Sequence, residues 1–256
     1  MATALVTGAT AGIGESFTRL LAQQGYDLVL VARDVKRLAE RAKLLRGKYK
    51  IKVEIIVADL SKNNELTKVV KRLTNPKNPV EVLINNAGFG LKKSFLTSKT
   101  KDERAMLDVL VTAPMTFSHA VLPFMKARNS GRIINVSSVA SWIAGGTYSA
   151  AKSYVTVFSE SLHSELRGTN IKVTALCPGF THTEFHARGQ MNMNGLPNWL
   201  WLEADRVVAD AWRANSKGKA LSIPGLQYKI ITFIARFGYR PMVRKMGINV
   251  RRRQRR

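Results

Sequence analysis

Cysteine is almost missing from this chain: Cys177 is the only one, so no intrachain disulfide can form. Its place in an apolar run reads as a buried, inert thiol, and such sparing use fits a reducing cytoplasm. Acid is scarce too. Seventeen Asp and Glu stand against 41 Lys and Arg, a formal net charge of +24 over 256 residues, and no acidic residue follows Asp210, whereas the chain closes on RRRQRR. An excess of that size attracts something anionic, be it a phosphorylated cofactor, acidic lipid or nucleic acid. Uncharged apolar runs of the roughly 18 residues that a membrane span needs are absent, the nearest candidate, 105–125, being interrupted by Asp108 and His119. A strand-like run begins at Thr3 and leaves no room for a secretory leader, so a soluble, unexported, cytoplasmic protein is expected. No platform of interleaved aromatics and arginines exists for single-stranded nucleic acid, and no nucleic-acid partner is expected. His182 and His186, four apart, lack a cysteine or acidic cluster to complete a metal site; no metal is expected, and the pair reads as loop surface.

What the chain does hold is an alternation of short apolar strands with helical patterns. Strand-like runs fall at 3–7, 27–32, 52–60, 80–84, 132–136, 171–176 and 220–223, with helices between them, which implies an α/β fold whose parallel sheet is covered on both faces. With 45% hydrophobic residues the length suits one sizeable domain. The expected division is a domain over 1–225 and a basic, amphipathic C-terminal extension over 226–256.

Chemistry-bearing residues gather at strand ends. The first strand runs into Gly8, Gly12 and Gly14 before the helical pattern of Phe17, Leu20 and Leu21, a spacing unlike the commoner G-x-G-x-x-G. Such a turn lets backbone approach a ligand, and the helix start attracts a pyrophosphate. The second strand ends in Ala32 and Arg33, where a small residue followed by arginine leaves room and charge for a 2′-phosphate, so NADP is expected rather than NAD. The alternative is that Arg33 is a solvated residue opening the next helix. The third strand is expected to end in Asp59, with Ser61 as N-cap of a helix through Leu73, and the fourth ends in Asn85, Asn86, Ala87 and Gly88. A long helix over 101–125 is apolar on more than one face, either deeply buried or shared with a second subunit, and Pro114 is expected to bend it.

The stretch 131–152 reads as strand, loop, helix. Ser137 and Ser138 lie at the strand's carboxyl end, while Tyr148 and Lys152, four apart, share a helix face. A phenol with an ordinary pKa of about 10 is brought toward the working range by a fixed positive charge, and a serine hydroxyl at the same oxygen suits a carbonyl becoming an alkoxide. Farther on, 183–202 has no clean period and carries Met191, Met193, Leu196, Trp199, Trp201 and Leu202, either a lid over an apolar substrate or a segment packed on the body.

Taken together these motifs resemble the short-chain dehydrogenase/reductase family over roughly residues 3 to 225. Its Thr-Gly-x-x-x-Gly-x-Gly stands as Thr7, Gly8, Gly12 and Gly14, its Asn-Asn-Ala-Gly as Asn85 to Gly88, its adenine-side Asp as Asp59, its serine as Ser138, its Tyr-x-x-x-Lys as Tyr148 and Lys152, and its Pro-Gly with downstream threonine as Pro178, Gly179 and Thr183. The resemblance implies a single-domain, Rossmann-type, doubly wound parallel sheet of about seven strands. It implies catalysis by Ser138, Tyr148 and Lys152, and cofactor contacts from Thr7, Gly8, Gly12, Ile13, Gly14, Arg33, Asp59, Leu60, Asn86, Ala87, Gly88, Pro178, Gly179 and Thr183, joined by Tyr148 and Lys152. The activity implied is NADP(H)-dependent reduction of a carbonyl to an alcohol, or the reverse, on a small or lipophilic substrate such as a 3-oxoacyl or steroid-like ketone. The alternative is a non-catalytic NADP-binding sensor or scaffold. A homodimer or homotetramer is expected.

Two departures from the family pattern stand out. Leu110 holds the place of an asparagine in the long helix, and Ser138 precedes Tyr148 by only ten positions. Ser137 and Ser138 point to opposite sheet faces if the strand persists, so only one can serve, and Ser138 is favoured. In the extension, Ile230, Ile231, Phe233, Ile234 and Phe237 form an apolar helix side ended or bent by Pro241, with Lys229, Arg236 and Arg240 beside it and five arginines from Arg251 to Arg256 beyond. Peripheral contact with an anionic membrane, at its inner surface, is one expectation. Packing of that helix on the body, or on a second subunit, is the other.

Overall fold

A computed structural model describes residues 1–193, 195–239, 241 and 243. Seven parallel strands, β1 (Thr3–Thr7), β2 (Asp27–Ala32), β3 (Val53–Val57), β4 (Val80–Asn85), β5 (Gly131–Val136), β6 (Ile171–Leu176) and β7 (Leu221–Ser222), hydrogen-bond in the order β3-β2-β1-β4-β5-β6-β7. Every residue of β1 is buried, as a central parallel strand requires. Helices α1 (Gly12–Gln23), α2 (Val35–Tyr49), α3 (Asn63–Leu73), α4 (Thr100–Leu107), α5 (Ala113–Ala127), α6 (Thr147–Glu165), the single turn α7 (Phe185–Arg188), α8 (Ala204–Ser216) and α9 (Leu226–Phe237) connect and cover them.

The period of two along each strand sorts side chains onto two cores. Ala4 and Val6, Leu28 and Leu30, and Val82 and Ile84 face one side with Phe17, Leu38 and Val207 from α1, α2 and α8. Leu5, Val29, Val31 and Leu83 face the other, with Leu66, Phe117 and Val121 from α3 and α5. Strand order reverses between β1 and β4, so their carboxyl ends diverge to leave a crevice, the usual place for a ligand in such sheets.

Several boundaries differ from expectation. β3 stops at Val57 rather than 60: Ala58 N makes one more bond to β2, at Ala32 O and 3.0 Å, before the loop that presents Asp59. Lys62, not Ser61, precedes α3, and the Ser61 hydroxyl turns back to Asp59 Oδ1 at 2.8 Å. The long helix is continuous over 100–127 but contains a π-helical turn at Asp108–Thr112, immediately before Pro114 at the start of α5. Pro114 lacks the N–H that an α-helical turn would use, and the wider turn accommodates it. This 28-residue segment, Thr100–Ala127, is long and apolar enough to cross a membrane by length and composition. Here its Phe117, Val121 and Met125 are fully buried against the sheet, which accounts for that apolarity.

The first half of the basic extension belongs to the body. α9 buries Tyr228, Thr232 and Ala235, and the Tyr228 ring lies flat against Gly179, where an added Cβ would overlap three ring carbons. The Tyr228 hydroxyl accepts from Phe180 N at 2.9 Å and donates to Leu200 O. Burial pushes this phenol up to about 12, so it stays protonated and able to donate. The arginines at 251–256 and Arg240 lie outside the described residues. Gly179→Ala is expected to lower the unfolding free energy by roughly 1–3 kcal/mol, the usual cost of overpacking, read as a lower denaturant midpoint by circular dichroism.

Candidate active site

At the crevice, β1 and β4 are laced together by their own ends. Thr7 Oγ1 accepts from Asn86 N at 2.9 Å and Ala87 N at 3.0 Å, while the Asn86 amide donates to Thr7 O at 2.9 Å and Gly8 O at 3.2 Å. Gly14 must be glycine here, because a Cβ would overlap the Gly8 carbonyl and the Asn86 amide. α1 starts at Gly12 with Ala11 as N-cap and no side chain capping it, so its N-terminal amides suit an anion. Ile13 is half-buried against the core, and the Thr183 side chain lies over Gly12.

Beside this turn, Arg33 is exposed directly after β2. The next residue, Asp34, accepts from Arg37 N at 3.0 Å and caps α2. At the end of β3, Leu60 is buried, and burial pushes the Asp59 carboxyl up. Two hydrogen bonds from Ser61 and the charges of Arg33 and Lys62 outweigh that, holding it below the ordinary carboxylate value. These features, the uncapped helix start, the glycine turn and the cation after β2, fit a dinucleotide.

The two serines after β5 part company. Ser137 is buried, with its hydroxyl donating to Lys152 O at 2.8 Å and lying 2.7 Å from Thr156 Oγ1. Ser138 Oγ is half-buried and accepts from Ala140 N at 3.1 Å, capping a short 3-10 turn at Val139–Trp142 that Val139 N ties to Pro178 O. Among the described residues its O–H has no acceptor. Tyr148 and Lys152 share one side of α6, with Lys152 Nζ 5.7 Å from the phenol ring centroid. Nζ donates to Val136 O at 2.7 Å, and burial lowers the ammonium to about 8.

The segment after Gly179 folds back over this region. Phe185 packs on Tyr148 with ring centroids 5.9 Å apart, and Met191 reaches Gly90. Arg37 holds Glu184 through two bonds of 2.8 and 3.0 Å. His182 stacks on Trp201 with 4.7 Å between centroids. His186 is not plain loop surface, for it is wedged among Phe180, Phe185 and Trp201, and burial pushes its pKa down to about 4, keeping it neutral. A cavity of about 530 Å³ is bounded by His182, His186, Met191, Met193 and Trp201; neither Ser138 nor Tyr148 borders it. Among the described residues no three His, Cys, Asp or Glu side chains group as metal ligands. Cys177 is fully buried, and its thiol is pushed up to about 12.

Sequence reading placed the residues at the strand ends but missed Phe185, the Arg37 to Glu184 link and the Val136 carbonyl. Glu184 is an acid in basic surroundings, which hints at a partner without naming one 147 positions away.

A seven-stranded parallel sheet with a glycine turn at its switch point and a Tyr-x-x-x-Lys helix beside it defines a nucleotide-dependent oxidoreductase of α/β type. A sequence profile described as short chain dehydrogenase matches residues 2–193. An NADP-dependent 3-hydroxy acid dehydrogenase of Schizosaccharomyces pombe is 34% identical over 188 residues, 72% of this chain and 73% of that one. A short-chain dehydrogenase from Sphingobium yanoikuyae, solved with NADPH, superposes with a TM-score of 0.84 at 32% identity, covering 90% of this chain and 92% of that one. A bulky-bulky ketone specific alcohol dehydrogenase from Comamonas testosteroni gives 0.79 at 29%, covering 93% of each. The chain belongs to the short-chain dehydrogenase/reductase family and is an oxidoreductase.

The buried Lys152 makes stability depend on pH. Its folded-state pKa of about 8 lies below the ordinary 10.5, so its contribution is fully present above 10.5 and lost as pH falls through about 8. Over that window Lys152→Met is expected to remove a loss of about 3 kcal/mol, measured as the difference between wild-type and variant unfolding free energies.

Proposed function

We propose that the protein reduces the carbonyl of an apolar small molecule with NADPH, or oxidises the matching alcohol with NADP, through Ser138, Tyr148 and Lys152. The observation that carries this is the Tyr148 phenol on α6 with the Lys152 ammonium beside it and an apolar flap, Phe185 and Met191, across it. A bound nicotinamide would supply the hydride for the carbonyl carbon. Ser138 donates its hydroxyl to the substrate oxygen and orients it. Tyr148 gives its phenolic proton to that oxygen as charge develops, and the Lys152 charge favours the phenolate left behind. With one of its three donors on Val136 O, Lys152 has others for the nicotinamide ribose. In oxidation the same groups work in reverse.

Thr7, Gly8, Gly12, Ile13 and Gly14 would hold the pyrophosphate side, Asp59 and Leu60 the adenine, Asn86 to Gly88 and Pro178, Gly179 and Thr183 the nicotinamide side. NADP is preferred on the strength of Arg33: it is exposed at the end of β2, and the neighbouring acid, Asp34, is engaged with α2 rather than placed for a ribose diol. The flap, together with two relatives that are a 3-hydroxy acid dehydrogenase and a bulky-bulky ketone specific alcohol dehydrogenase, supports a 3-oxoacyl or steroid-like substrate. A cytoplasmic homodimer or homotetramer completes this reading, supported by the exposed Met115, Tyr154 and Val157 on α5 and α6.

A second reading, a non-catalytic NADP-binding scaffold, is favoured by one observation: buried Leu110 sets hydrocarbon against Gly88. Screening ketones for loss of nicotinamide absorbance separates the two. Tyr148→Phe is expected to cut turnover by at least about a thousandfold, the upper part of the range for a general acid, while NADPH affinity stays near wild type; turnover within a few fold of wild type would exclude the proposed role. Arg33→Ala is expected to weaken NADPH about tenfold or more and to leave NADH nearly unchanged, by fluorescence titration. Equal loss for both cofactors would exclude a phosphate contact.

A further inference from the structure

The most unusual surface of the molecule is the outer side of α9. At 100° per residue, Tyr228, Ile231, Thr232 and Ala235 point to the body, and the opposite arc carries Leu226, Ile230, Phe233 and Phe237. Those four are 70%, 55%, 65% and 70% exposed, and Tyr239 just past the helix is 74% exposed. A helix end packed on a body by one side ordinarily turns polar residues outward; this one turns aromatics and branched aliphatics outward instead. The sequence here is strongly basic. Residues 226–256 contain ten Lys and Arg and no Asp or Glu. Arg236 lies between the Trp142 and Phe237 rings, 5.7 and 5.5 Å from their centroids, at the rim of the apolar side.

We propose that α9 docks this protein in the plane of an anionic phospholipid surface, with Leu226, Ile230, Phe233 and Phe237 entering the acyl boundary and Lys229 and Arg236 meeting the headgroups. Charge complementarity selects this occupant. A second copy laid on the same face would bring two strongly basic segments together, and the chain's own residues 244–256 would set Lys and Arg against Lys229 and Arg236. An anionic bilayer satisfies both halves of the surface, apolar centre and cationic rim. The placement also has a consequence for access. Arg236 and Phe237 line a cavity of about 530 Å³ together with Ser141, Trp142 and Ile143, which belong to the loop between Ser138 and Tyr148. A lipid-dissolved molecule would therefore meet the protein on the side of that loop.

The test is flotation of the full-length protein with vesicles of phosphatidylcholine alone or mixed with phosphatidylglycerol, a readout independent of turnover. Expected is binding to the mixed vesicles at least about tenfold stronger than to phosphatidylcholine, weakened by high salt. F233E/F237E, and separately L226Q/I230Q, are expected to lose that binding about tenfold while keeping wild-type circular dichroism and melting temperature. Replacing the five arginines at 251–256 by glutamine is expected to weaken it severalfold without abolishing it. No flotation with mixed vesicles at low salt overturns the proposal. So does wild-type flotation of both apolar variants, which would leave only electrostatic tethering, and so does loss of a dimer by light scattering in those variants without any vesicle binding, which would make the face a contact between copies.

Discussion

Everything the candidate site does depends on a strap across the sheet's switch point, where the Thr7 hydroxyl accepts two amides from the end of β4 and the Asn86 side chain returns two bonds to the end of β1. These groups are buried or half-buried, so each bond contributes only about 1 kcal/mol net, but a lost partner would strand a donor at about 1–3 kcal/mol. The strap fixes how closely the glycine turn approaches β4, which is why Gly14 has no room for a Cβ. A second buried chain extends the reference outward. Asn85 donates to Asn135 at 2.8 Å and Asn135 to Ser159 at 2.9 Å, tying β4 to β5 and β5 to α6. The helix carrying Tyr148 and Lys152 is thus positioned against the same strands that shape the glycine turn. Polar atoms in a core are costly unless satisfied, and here they set the register of the elements on which a reacting geometry depends.

The flap is held differently. Among the described residues its links to the body include the exposed ion pair of Arg37 with Glu184, the Thr183 methyl over Gly12, the apolar touches of Phe185 and Met191, and a bond from the Gln227 amide to Trp199 O at 3.0 Å. Exposed pairs between long side chains are weak and screened by salt. What anchors the segment firmly lies at its ends, where Thr181 bridges Leu202 and Tyr228 clasps Phe180 and Leu200. Between those anchors the segment brings Phe185 onto Tyr148 and Met191 onto Gly90. α9 is therefore part of the site's frame rather than an appendage, since Tyr228 clamps both ends of the flap.

Much of this was legible in the chain because it follows from short-range rules. β1, β2 and β6 fall where β-branched runs begin and end, α6 starts at Thr147 as its pattern indicates, and Gly25 closes α1 with a positive φ of 80°. Strand ends are polar and glycine-rich for a reason visible in sequence, so the candidate residues were found there. What escaped depends on contacts between distant positions. Ser61 carries the right chemistry for an N-cap, but Asp59 competes for it and wins. The outward apolar side of α9 could not be separated from its inward side by periodicity, because both are apolar and only packing distinguishes Ile231 from Ile230. The neutrality of His186 likewise arises from three aromatic neighbours gathered by the fold.

Leu110 gives the site its particular character. The π-helical turn sets Leu110 against Gly88 and packs it with Met106, Ala151 and Tyr148, so the long helix offers hydrocarbon where the resembled family has an amide. Leucine neither donates nor accepts, and Lys152 is 5% exposed. The ammonium finds its fixed partner in the Val136 carbonyl, a bond made entirely within β5 and α6. Burial is the main influence on Lys152 and lowers its pKa. Under the proposed chemistry, Tyr148 gives its proton beside a helix that presents the hydrocarbon of Leu110 and Met106, surroundings that make an unpaired charge costly and leave Lys152 as the group that favours the phenolate.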